Sequence, residues 1–134
     1  MKDMKVTDKR CLELSRIVLE GIPGIKFDME EFRSHCGTAG CLAGYAVAAY
    51  EPELWKAHEF RQPLREIDSI ESAATRLLGL SETQAAEMFY PWNAGTYELV
   101  TGYVPEASEI TPEMAARMLA HFVATKRVVW ERQS

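Results

Sequence analysis

Apolar residues recur at helical spacing over most of the chain. Cys11, Leu14 and Val18, with Leu12 and Leu19 beside them, predict an amphipathic helix. Thr7 or Asp8 is the expected N-cap, and Gly21-Ile22-Pro23-Gly24 the stop. Ile25, Phe27 and Met29 then alternate with polar residues, which predicts a short strand or extended segment, or a small helix capped by Asp28. Ser34 to Gly40 reads as a glycine loop. The run from Cys41 to Tyr50 is apolar on every side and rich in small residues, the pattern of a buried central helix. Pro52 opens a short helix through Trp55 and His58.

The second half is better punctuated. Asp68 or Ser69 is the expected cap of a helix that places Ile70, Ala73, Ala74, Leu77 and Leu78 on its core side, with Gly79 at C′. Ser81-Glu82-Thr83-Gln84 has the form of a capping box and opens a helix through Phe89, which Pro91 ends. Residues 92–110 read as loop, with residues 96–104 able to form a β segment. Thr111 as N-cap, Pro112 at N1 and Glu113 in the first turn start a helix with the stripe Ala115, Met118, Leu119 and Phe122. Val128-Val129-Trp130 is a terminal strand or an extended tail docked on the core.

These elements predict a mainly α fold. The expectation is a single domain, residues 1–134, of about four to six helices around the small-residue helix, with room for a minor β element. A chain of 134 residues buries roughly two thirds of its extended surface on folding, enough for a core without disulfides or a structural metal. The opening residues Met1 to Val6 mix both charge signs and lack an apolar run, and the ten apolar residues from Cys41 are about half a membrane span. Three cysteines are not a secreted disulfide framework. The expected setting is cytoplasmic, without membrane contact.

The net charge is −5, and its distribution says more than its sum. Residues 1–76 carry 11 basic and 13 acidic side chains. Residues 77–116 carry six glutamates and no Lys or Arg, whereas Arg117 to Ser134 holds four basic residues against Glu131. A middle segment without cations is a poor phosphate binder. The same segment interleaves Phe89, Tyr90, Trp92, Tyr97 and Tyr103 with Glu98 and Glu106. Loop aromatics serve as interface anchors, and negative charge around them steers toward a basic partner. The plainer reading is a long loop pinned to the core by its rings.

The second unusual feature is His35-Cys36-Gly37-Thr38-Ala39-Gly40-Cys41. A thiolate where a helix begins meets unpaired N–H groups and the positive end of the helix dipole, which lower its pKa. The glycines let backbone amides approach an anion or oxyanion, and His35 is a candidate proton acceptor. The alternative is two small buried thiols in a tightly packed turn. Adjacent His-Cys, then a cysteine five positions on, lacks the paired knuckles of structural zinc, so no metal or cofactor is expected.

Cys-Gly-Thr-Ala-Gly-Cys-Leu-Ala resembles the nucleophile segment of papain-like cysteine peptidases, the bacteriocin-processing domains in particular. His121-Phe122-Val123 is similar to the His-Phe-Val context of that family's base. The resemblance implies Cys36 as nucleophile and His121 as base. A broader resemblance runs from Phe27-Asp28-Met29 through Cys36 to Gly44, Leu78 to Ser81, Met88 to Tyr90, Ile110 to Ala116 and Val128 to Trp130. These residues resemble a family of small uncharacterised bacterial and phage proteins. That likeness implies one compact unit and a phage or mobile-element origin, and implies no activity.

The segment Ala73 to Ala85 also has the spacing of a DNA-binding helix-turn-helix. Its second helix offers Glu82 and Glu87 and no cation, so phosphates would repel it. The function read first is therefore a small non-catalytic interaction or regulatory protein. Its partner would be a protein with a basic surface, bound through Phe89, Tyr90, Trp92, Tyr97, Glu98, Tyr103 and Glu106, and homo-oligomerisation is open. A cysteine-dependent hydrolase or transferase using Cys36 or Cys41 with His35 or His121 stands second. A helix-turn-helix regulator stands third.

Overall fold

A computed structural model describes residues 4–29, 39–59, 70–93 and 103–132. Among them are six α-helices: α1 Val6–Glu20, α2 Leu42–Tyr50, α3 Pro52–Glu59, α4 Ile70–Leu78, α5 Glu82–Phe89 and α6 Pro112–Thr125. Two 3₁₀ turns, Pro91–Asn93 and Ala107–Glu109, follow α5 and precede α6. The β component is small. Strands β1 Lys26–Phe27 and β2 Ala39–Gly40 pair in parallel, with Lys26 against Ala39 and Phe27 against Gly40. The fold is mainly α, as the periodicity requires.

Helix α2 lies at the centre because nothing on its surface needs water. Leu42 through Val47 are buried in succession. Its main neighbour is α4, whose Ala73 and Ala74 are fully buried. Small side chains on both helices let their backbones approach closely. The Tyr45 hydroxyl donates to the Ile25 carbonyl at 2.6 Å, and the Tyr45 ring meets Phe27 edge-on at 5.4 Å. One side chain thus ties the β1 segment to the central helix.

Helix α1 packs chiefly on α6 and runs antiparallel to it. Two long-range contacts fix that direction: Lys126 pairs with Asp8, and the Ser15 hydroxyl donates to the Ala116 carbonyl at 2.8 Å. Cys11, Leu14 and Val18 face inward, while Leu12 and Leu19 remain outside at 38% and 54% exposure. Lys5, not Thr7 or Asp8, is the N-cap, and it makes no side-chain cap. Both expected caps have other tasks. Asp8 meets Lys126, and Thr7 packs against Gly79.

The other punctuation holds where it is described. Ser81 and Gln84 form a reciprocal capping box at α5, and Thr111 caps α6 ahead of Pro112. Gly79 closes α4 at φ +68°, with its N–H on the Arg76 carbonyl and the Leu80 N–H on the Thr75 carbonyl. That pair of bonds is a Schellman ending. The expected caps Asp68 and Ser69 lie outside the described residues. The C-terminal segment docks as an extended tail, not a strand. Val128 and Trp130 are buried, and the Trp130 indole donates to the Glu87 carbonyl at 2.9 Å.

Candidate functional site: an acidic groove beside an aromatic ledge

Cys41 is the N-cap of α2 and is 3% exposed. Its thiol is pushed up to about 11 by burial, against the opposing pull of the Gly44 and Ala43 amides. The expected lowering at a helix N-terminus is therefore corrected in sign. Dipole and amides favour the thiolate modestly, but loss of water disfavours it more. The helix end is also occupied, because the Leu42 N–H points at the Met29 sulfur at 3.4 Å. Cys11, read as core, is fully buried and likewise raised to about 11, first by burial and then by Asp8. His121 is half-buried on α6. His35 and Cys36 lie outside the described residues. Among the described residues no group of three or more His, Cys, Asp or Glu side chains converges as a metal site would require.

The aromatic segment divides. Phe89 is core at 1% exposure, which corrects its expected place on the binding surface. Tyr90, one residue on, is half-buried, and its hydroxyl donates to Glu71 at 3.4 Å. Burial and that carboxylate hold the phenol well above its ordinary range. Trp92 meets the Tyr90 ring edge-on at 6.1 Å and is 36% exposed. Tyr97 and Glu98 lie outside the described residues.

Tyr103 and Glu106 have partners of their own. The Arg132 guanidinium lies over the Tyr103 ring at 4.5 Å. Glu106 is exposed and forms a reciprocal capping arrangement with Glu109. Glu87 is raised by partial burial, with Arg127 opposing. The docked tail thus brings cations to a stretch that has none in sequence.

The groove between α4 and α5 is different. It has a volume of about 620 Å³ and is lined along its length by Glu71, Ser72, Thr75, Arg76, Leu80 and Glu82, among others. Arg76 is its one cation among the lining residues, and both its terminal nitrogens bond Glu51 oxygens at 3.0 Å. This bidentate pair offsets the guanidinium charge, and Glu71 and Glu82 are the carboxylates among the lining residues. Glu71 also joins the groove to the ledge, because it accepts from Tyr90, whose ring meets Trp92.

Sequence reasoning missed Glu71 and the Glu51–Arg76 pair. Glu71 sits one helix before the segment without cations, and no local pattern links it to Tyr90. The neutralising role of the tail was legible in part. Trp130 read as a core residue, and a docked Trp130 must carry Arg127 and Arg132 to the surface with it.

Comparison with protein-family models, with curated proteins and with solved structures finds no match.

Proposed function

We propose that the chain is a non-catalytic interaction module that captures a basic segment of a partner protein in the α4–α5 groove. The observation that carries this reading is the groove itself. Carboxylates at Glu71 and Glu82 line it, its one lining cation is held by Glu51, and Glu71 links it through Tyr90 to an exposed tryptophan. A Lys or Arg side chain entering there gains charge-assisted hydrogen bonds, and its alkyl stem or a neighbouring apolar residue covers Trp92. Steering by the acidic surface raises the association rate and makes it sensitive to salt. The same sign disfavours a nucleic acid backbone, so the α4–turn–α5 unit serves as a capped helical hairpin and not as a DNA reader. No step of this reading uses a thiol.

The test is selection of binding peptides from a displayed random library on the immobilised full chain. Enrichment of Lys and Arg is expected, with binding that weakens as salt rises. Glu71→Gln with Glu82→Gln, and separately Trp92→Ala, should each cost about tenfold or more in affinity while far-UV circular dichroism is unchanged. Selected sequences without basic residues, or binding indifferent to these variants, refute the reading.

A further inference from the structure

We infer that the chain forms a twofold homodimer through the outer face of the α1–α6 pair. Leu12 and Leu19 are seven residues apart on α1, so they lie on one face two turns apart. That face is turned away from the core, with the two leucines 38% and 54% exposed. Beside Leu19 runs an apolar groove of about 350 Å³ between the helices, lined by Ser15, Leu19, Glu113, Ala116, Arg117 and Ala120. Small residues at 116 and 120 on α6 leave room for another helix to approach.

The charges at this groove identify the occupant as a second copy. The α4–α5 groove is acidic and asks for a partner of opposite sign. Here α6 carries both signs one turn apart, at Glu113 and Arg117, while Arg16 and Glu20 on α1 pair with each other at 3.5 Å. A twofold axis crossing α6 between Glu113 and Arg117 reverses the helix, and sets Glu113 of each copy against Arg117 of the other. The Ser15–Ala116 hydrogen bond marks which residues of α1 and α6 share a level. At a uniform helical rise, the same axis places Leu19 of each copy between Leu12 and Ser15 of the other. Both apolar positions and both charges are then used by one operation, as an isologous interface requires. Two helices about 22 Å long offer roughly 600–800 Å² on each copy, the lower end for a stable dimer. The association should therefore be concentration-dependent and not obligate. It goes beyond the groove on α4–α5 and shares no lining residue with it.

Sedimentation velocity on the full chain over a wide concentration range tests the proposal. The wild type should pass from monomer to dimer. Leu19→Glu, at a site already exposed to water, should remain folded by circular dichroism and monomeric throughout. Glu113→Arg and Arg117→Glu should each weaken the dimer by about three- to tenfold, and the two together should restore it. The restoration separates a facing pair from simple loss of stability. A wild type that stays monomeric at every concentration overturns the proposal. So does a dimer that survives Leu19→Glu, or one that the double reversal fails to restore.

Discussion

Gly79→Ala tests how α1 is seated on the α4–α5 turn. Gly79 has φ +68°, a conformation that costs an L side chain about 1–2 kcal/mol. The added methyl also meets α1. An ideal Cβ at this position falls 2.8 Å from Thr7 Cγ2, 2.9 Å from Thr7 Cβ and 3.1 Å from Thr7 Oγ1. A rotamer change moves Cγ2 and Oγ1, but Thr7 Cβ is fixed to the α1 backbone, so the helix or the turn must shift. Overpacking of this kind costs about 1–3 kcal/mol. The expected loss is about 2–5 kcal/mol, and for a chain of this size each kcal/mol is worth roughly 3–4 °C in Tm. Gly24→Ala supplies the control. Its φ is +82°, yet nothing lies within 4 Å of the added Cβ, so it carries the backbone cost alone. Urea unfolding and thermal melts followed by far-UV circular dichroism give both values. Thr7→Ser in the Gly79→Ala background removes the nearest atom and should return part of the loss. If Gly79→Ala destabilises no more than Gly24→Ala, the close approach of α1 to this turn is refuted.

Other outcomes follow from buried groups. Both described thiols are raised from 9.0 to about 11, so the native state holds protons there that the unfolded chain has released. Stability from this source is complete below pH 9 and falls between pH 9 and 11, by roughly 2–3 kcal/mol per thiol. Cys41→Ala should flatten that fall in chemical denaturation, and a wild-type stability constant across the window refutes the assignment. In peptide-resolved alkylation Cys11 and Cys41 should resist iodoacetamide near neutral pH until the protein is unfolded; fast labelling of either overturns its place in the core. Trp130→Ala should cost about 3–5 kcal/mol by urea unfolding and should increase protease cleavage after Arg127 and Arg132, because it removes the anchor of the tail. A change below about 1 kcal/mol refutes that anchoring.

Much of the fold is written locally. Ser81 with Gln84, Thr111 with Pro112, and Gly79 each set a boundary through a bond or a φ angle within a few residues, so pattern and structure agree there. The α1 start fails for the opposite reason. Thr7 and Asp8 are good caps in isolation, but the tertiary fold uses one against Gly79 and the other against Lys126. Helical spacing identified the buried stripe of α1 and yet left Leu12 and Leu19 undecided, since an apolar side chain beside a stripe can serve the core or an external surface. Cys41 shows a competition that sequence cannot weigh. The helix N-terminus is local and visible, whereas the burial that outweighs it is supplied by distant elements.

Charge is where linear reading and the folded surface part most sharply. Residues 77–116 are uniformly acidic in sequence, but a surface is made of neighbours in space. The tail lays Arg132 on Tyr103 and brings Arg127 toward Glu87, so part of the stretch is offset by cations from beyond it. The α4–α5 groove is the converse. It contains an arginine in sequence, but Glu51, brought in from the end of α2, binds that arginine through both nitrogens. An unpaired acidic surface attracts a basic partner only as far as its field escapes such internal pairing. On the proposed reading, substitution of Glu71 and Glu82 should alter capture of a basic peptide more than substitution of Glu106.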